Sequence, residues 1–208
     1  MAAIQVKPTR MELSNLKKRK KVAVRGHKMM KDKRDELVRR FIVYARRNKE
    51  LREEVERKLS LSMKSFVKAG AIMSNGEIEE ALLYPARAAE VTAGQQNVLS
   101  IHVPKLAMET AEGFTYPYGF ATTSADLDGA VQQLAEVLPL LLELAEVEKT
   151  CGRLADEIEK TRRRVNALEY VMIPQFTEAI RAIQMKLEEN ERGNLTRLMK
   201  TKDMLAAK

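Results

Sequence analysis

The chain has 208 residues, 37 Lys and Arg against 29 Asp and Glu for a net charge of +8, 5% aromatic residues, no Trp, nine Gly and six Pro. That composition excludes a turn-rich sandwich, barrel or doubly wound sheet and favours long helices. The lone Cys151 excludes a disulfide framework, the mixed basic and apolar N-terminus gives no secretory signal pattern, and the longest apolar run, 137–142, is too short to span a bilayer.

Charge is unevenly placed. Residues 1–60 hold 20 Lys and Arg and 8 Asp and Glu, net +12, while residues 61–208 are net −4. In this basic third, Thr9 followed by Glu12 reads as a capping box just after Pro8, so a helix should start near Arg10. Alternating steps of three and four residues then pass through Leu13, Leu16, Lys20, Ala23, His27, Met30, Arg34, Leu37, Phe41, Tyr44, Asn48, Leu51 and Val55. This is a coiled-coil stripe with wet positions at Lys20, His27, Arg34 and Asn48, and Gly26 weakens it by roughly 1 kcal/mol relative to Ala. Continued through Met63, Phe66 and Val67 toward Ala71, the helix would be about 60 residues and roughly 90 Å long.

Residues 73–123 change composition: Arg87 and Lys105 are the only cations against six Glu, and Gly, Pro, Thr and Tyr concentrate there. They read as an inserted segment. Stretches 88–93 and 97–103 alternate well enough for a β-hairpin, with Gly94 supplying the turn and Pro104 closing the second strand.

Ser124 ahead of Asp126 and Asp128 reads as the N-cap of a second long helix. Its stripe runs Leu127, Val131, Leu134, Leu138, Leu141, Ala145, then shifts to Val147, Cys151, Leu154, Ile158, Thr161, Val165, Leu168 and Met172, and resumes as Phe176, Ile180, Ile183 and Leu187. The four-residue steps around Pro174 amount to a stutter, which predicts a bend near 170–174. Carried to about Lys202, the helix would be roughly 115 Å long.

The expected fold is all-α: a long antiparallel two-helix coiled coil of an N-terminal helix (1–72) and a C-terminal helix (124–208), with the short insert (73–123) and its β-hairpin at the far end from both termini. Around Val137, Leu140 and Leu144 the second helix is apolar on nearly every side, so the insert or a partner should cover it.

Little here can carry chemistry. His27 and His102 lie in different segments without Cys, Asp or Glu at metal-ligand spacing, and no phosphate loop, nucleophile elbow or paired carboxylates occur. Cys151, on the stripe, reads as a buried thiol. No catalytic, cofactor or metal residue is assigned. The run Lys17, Lys18, Arg19, Lys20 and Lys21 encircles its helix at about 100° per residue instead of lining one face, and Arg162, Arg163 and Arg164 form a second collar without aromatic interleaving. The simplest reading of each collar is a solvated helix surface; the functional one is contact with an enclosing partner.

The stretch PTRMELSNLKKRKKVAVRGHKMMKDKRDELVRRF and the later EKTRRRVNALEYVMIP, continued by KLEENERGNLTRLMKTK, resemble the D subunits of V-type (V/A-type) ATPases in their bacterial form. The resemblance covers nearly the whole chain, in the right order around a short middle segment. It implies a non-catalytic rotor in the central stalk, with its termini inside the hexamer of catalytic A and nucleotide-binding B subunits. It further implies a small stalk partner, the F subunit, docked on it, a membrane-ring adaptor at the far end, and a place on the cytoplasmic face of the plasma membrane, without a cofactor, nucleic acid or membrane insertion. The likeness to the gamma subunit of F-type synthases is architectural only. The alternative from the residues alone is a basic helical adaptor or nucleic-acid-binding hairpin, supported by the +12 N-terminal third.

Overall fold

A computed structural model describes residues 7–85, 89–110, 116–121 and 123–206. In chain order these form α1 (Arg10–Ile72), α2 (Asn75–Leu82), β1 (Ala89–Val98), β2 (Ile101–Thr110), α3 (Ala125–Ala167), a π-helical turn (Leu168–Met172) and α4 (Ile173–Ala206). The long N- and C-terminal helices and the hairpin between them agree with the expected fold class.

The start of α1 is capped as the sequence predicts, with the Glu12 amide donating to Thr9 Oγ1 (3.2 Å). The Thr9 amide itself donates to Lys7 O (2.9 Å), so the reciprocal half of the capping box is not made. All thirteen stripe positions from Leu13 to Val55 are shielded: Leu16, Leu37, Leu51 and Val55 are buried and the others half-buried, including the wet positions Lys20, His27, Arg34 and Asn48. Beyond Val55 the stripe departs from expectation. Met63, Phe66 and Val67 are exposed, and the buried positions are Ser62, Ala69 and Met73. Small residues let a neighbouring helix approach closely here, and Ser62 Oγ satisfies itself by donating to Ala130 O (2.9 Å).

Helix α2 is an element the sequence reading passed over, although its signature is present. Ser74 Oγ accepts from the Glu77 amide (3.3 Å) and the Glu77 carboxylate accepts from the Ser74 amide (2.7 Å), a complete capping box. The Ser74 amide, and after it the Ser74 hydroxyl, favour the ionised carboxylate and hold Glu77 below the usual glutamate range. Ile78 and Ala81 then pack with Ala69, Met73 and Leu127, flanked by Tyr118 and Val131, in a small core.

The hairpin exists, but its turn lies elsewhere. Residue 88, the expected start of its first strand, is outside the described residues; Gly94 sits within β1 opposite Lys105, and Pro104 within β2 opposite Gln95. The chain reverses at Leu99 and Ser100, whose φ values of 51° and 68° make a two-residue type I′ turn, with the Ser100 amide donating to Asn97 Oδ1 (2.9 Å). Leu99 is a poor residue for that conformation, which is why sequence reasoning preferred the glycine five residues earlier. Pro104 fits because Val98 and Ile101 close the turn as a hydrogen-bonded pair, which makes Gln95 and Pro104 a non-hydrogen-bonded one.

Helix α3 begins at the expected residue by a different device. The Leu127 amide donates to Ser124 O (3.0 Å), but Ser124 Oγ is buried without a partner among the described residues, and Asp128 Oδ1 instead receives the Tyr118 hydroxyl (2.9 Å). Burial first, then this bond, pushes the Tyr118 hydroxyl well above its ordinary range. The stripe of α3 needs no shift. Its shielded positions are Leu127, Ala130, Gln133, Val137, Leu140, Leu144 and Val147, continuous with Cys151, Leu154, Ile158, Thr161 and Val165, whereas Leu134, Leu138 and Leu141 are exposed. The expected face holds at Leu127 and fails from Leu134 to Ala145, because a segment apolar on nearly every side offers little polar surface to orient it.

The predicted stutter is realised as the π-helical turn. The Ile173 amide donates to Leu168 O, a five-residue step, directly before Pro174, which has no amide proton to continue an α-helical ladder. The extra residue exposes Tyr170, Val171 and Met172 and returns Phe176, Ile180, Ile183 and Leu187 to the shielded side.

Contacts divide the chain into two compact units, Met1–Glu36 with Ile158–Lys208, and Leu37–Glu157. In the first, Arg10 pairs with Glu191 (2.5 Å) and His27 with Glu169 (3.3 Å), so the two helices of the pair run antiparallel. In the second, Arg47 pairs with Glu143 (2.7 Å), Arg52 with Glu148, and Ser62 bonds Ala130, again antiparallel. The Glu143 carboxylate raises the Arg47 pKa further.

Candidate functional site

The first basic run does not behave as five equivalent charges. Lys17, Lys18, Arg19 and Lys21 are exposed and Lys20 is half-buried. Lys17, Lys20 and Lys21 share one helix face with Val24 and Arg25, by steps of three and one, and with Ile180 of α4 they line an open groove of about 530 Å³. None of these four cations has an ion pair among the described residues. Taken alone the run encircles its helix; Arg25, one turn on, makes it a one-sided cationic groove with an apolar floor.

Arg162, Arg163 and Arg164 are all exposed, between the buried stripe residues Thr161 and Val165. Arg163 pairs with Glu159 one turn back on the same helix, while Arg162 and Arg164 have no ion pair among the described residues. Pro174 is exposed on α4 beside the π-helical turn, whose Glu169 meets His27.

In the second unit the three apolar candidates turn inward: Val137 is fully buried, and Leu140 and Leu144 are half-buried. The insert meets α3 nearby, where the Leu106 amide of β2 donates to Glu146 Oε2 (3.0 Å) and so fastens the hairpin to α3. The surface left open consists of Leu134, Leu138 and Leu141. Leu134 also lines an apolar groove of about 160 Å³ with Ser62, Met63, Phe66, Leu82, Ala130 and Val131. Sequence reasoning missed this groove because it placed Met63, Phe66, Val131 and Leu134 on the seam; the small residues Ser62 and Ala130 were the signal that the seam lay one position away.

The chemistry available is that of contact surfaces. Cys151 is half-buried, and burial, then the nearby Glu148 charge, pushes its thiol up, away from a reactive thiolate. His102 is exposed on β2, and among the described residues no group of three His, Cys, Asp or Glu side chains could hold a metal ion. No described helix is long and apolar enough to cross a membrane.

Comparison with known proteins finds a match to the family of ATP synthase D subunits over residues 12–203. The chain is 56% identical over 209 residues to the V-type ATP synthase D subunit of Clostridium botulinum (strain Langeland), covering 99% of this chain and 97% of that protein. It is also 56% identical to the V-type ATP synthase D subunits of Acetivibrio thermocellus, over 99% and 94% of the two chains, and Clostridium novyi, over 99% and 97%.

Proposed function

This chain belongs to the family of ATP synthase D subunits, and from that premise we propose that it is the central-stalk rotor of a V-type ATPase, a non-catalytic part that couples ATP turnover in a catalytic hexamer to ion translocation through a membrane ring. The observation that carries the reading is the full-length likeness to proteins of that name. The wet stripe and open cationic surfaces support it, because a rotating element must not lock into any one of several equivalent positions, and exposed charge contacts are typically worth under about 1 kcal/mol each.

In this reading the cationic groove of Lys17, Lys20, Lys21 and Arg25, and the Arg162 to Arg164 collar, meet the surrounding A and B subunits in turn. The small F subunit and the membrane-ring adaptor take the apolar surfaces of the other unit, with Leu134, Leu138 and Leu141 as contacts. The complex lies on the cytoplasmic face of the membrane. The insert, residues 73–123, is a separable appendage whose removal leaves both helices able to enter the hexamer.

Co-purification from membranes after a low-salt wash tests the reading: recovery with other ATPase components is expected, and recovery with RNA or DNA would instead support a basic adaptor. Within the complex, Pro174→Ala restores a backbone donor beside the π-helical turn and should reduce ions moved per ATP in reconstituted vesicles more than neutralising Arg162, Arg163 or Arg164 singly. Full coupling in Pro174→Ala with uncoupling in a single-arginine variant would reverse that ranking.

A further inference from the structure

The two edges of the hairpin are not equivalent. Natural sheets guard an edge with proline, lysine, a bulge or a covering element, because a row of unpaired amides and carbonyls is a template for another strand. Edge β2 has such guards: Pro104 offers no amide, Lys105 carries charge, and the outward Leu106 amide is spent on Glu146 of α3. Among the described residues edge β1 has none of them. Its residues pair one to one with β2 from Ala89 to Val98 without a bulge, it contains neither Pro nor Lys, and positions 89–97 are all exposed.

The hydrogen-bond phase fixes which groups are free. Val98 and Ile101 close a two-residue turn and form a hydrogen-bonded pair, so Val91, Ala93 and Gln95 fall in the alternate pairs, whose amides and carbonyls point away from the partner strand. Leu106, opposite Ala93, obeys the same phase by directing its amide outward to Glu146. Among the described residues no hydrogen bond beyond the ladder is found for Val91, Ala93 or Gln95. Their side chains are short or flexible enough to let a strand approach to about 4.8 Å.

We propose that β1 is a docking edge for an extended segment of another polypeptide, which adds a third strand across Val91, Ala93 and Gln95 and places a Lys or Arg beside Glu90. Charge selects the occupant. Glu90 lies directly opposite Glu109, both are exposed, and neither has an ion pair among the described residues, so a like-charged pair stands open at this edge. The insert carries two cations against six glutamates in a chain that is otherwise basic. A second copy would bring the same negative edge and be repelled, whereas a basic strand neutralises Glu90 while its backbone makes about six new hydrogen bonds. That this partner is a component of the ATPase complex rests on the reading above.

Residue-resolved hydrogen exchange on the native complex and on the isolated chain tests the inference. In the isolated chain Thr92, Gly94 and Gln96 should be protected by the ladder, and Val91, Ala93 and Gln95 should exchange freely. In the complex the latter three should slow at least tenfold. Ala93→Pro removes one outward donor and no ladder bond, so the isolated chain should keep its helicity and melting temperature while protection of Val91 and Gln95 in the complex is lost. Glu90→Lys, which leaves the backbone untouched, should reduce the same protection. Co-purification with the three amides still exchanging freely would overturn the docking edge and spare the rotor reading. Protection that appears in the isolated chain and vanishes on dilution would make the occupant a second copy and overturn the proposal. Failure to co-purify would remove the rotor reading, and with it the partner assigned here.

Discussion

The two compact units are built from the same helices on opposite principles. In the unit of residues 37–157, Leu37, Leu51, Leu127, Val137 and Leu154 are completely shielded, and α2 and the hairpin add further buried residues. In the unit of residues 1–36 and 158–208, the fully buried described side chains are Leu16, Thr161, Val165 and Ile183, and the stripe between them carries Lys20, His27 and Arg34 half-buried. Apolar burial supplies most of the stability of a helix pair, and polar seam residues trade some of it for pairing specificity. The dry unit is therefore expected to be the more stable of the two, and the wet unit to open at a lower free energy.

The contrast can be broken most directly at Leu154. Leu154→Ala should lower stability by about 2–5 kcal/mol, because a fully buried leucine leaves a cavity the pair cannot refill. Urea unfolding followed by circular dichroism measures it. Native-state hydrogen exchange should then show amides of 127–154 opening at free energies nearer the global value than those of 165–183; equal protection would abolish the contrast.

The wet unit should respond in the opposite direction. His27→Leu replaces a half-buried imidazole with an apolar seam residue and removes only a 3.3 Å contact to a half-exposed Glu169. A gain of about 1 kcal/mol is expected from apolar burial, since the lost pair is worth less than that. A loss of stability would mean that His27 holds the π-helical turn in register.

The smallest effect concerns pH. The Tyr118 pKa is raised by burial and by the hydroxyl bond to Asp128, so the folded state favours the protonated phenol. Its contribution is fully present below the unfolded tyrosine pKa of about 10 and is lost as pH rises above that. Thermal melts from pH 8 to 11 should decline more steeply for the native chain than for Tyr118→Phe, which lacks the ionisation but is itself slightly less stable at pH 8.

How far the sequence could be read differs along the chain for a physical reason. Between Leu13 and Val55 charged residues fill most of the positions between the seam residues, so the pattern has one dominant orientation and every predicted seam residue is shielded. The stutter was legible too, in the four-residue steps from Met172 to Phe176 and Ile180 around Pro174, although Met172 itself is exposed by the extra residue of the turn. Of the candidate surfaces, the exposure of the arginine collar follows from its place between stripe residues. The cationic groove required Arg25 and Ile180, which are brought beside the lysines by helix geometry and by α4.

By itself, then, the sequence determined what repeats or punctuates: two long helices, the cap at Thr9, the phase of α1 as far as Val55, and the break before Pro174. Tertiary structure alone decided the rest, wherever local energies were nearly balanced. Between Val137 and Leu144 nearly every side of α3 is apolar, and the close approach permitted by Ser62 and Ala130 chose the buried one. In the hairpin, Gly94 was the cheaper place to turn. The chain instead reverses at Leu99, because that register puts Pro104 where no amide is required and lets Leu106 donate to Glu146, gains that no local propensity contains.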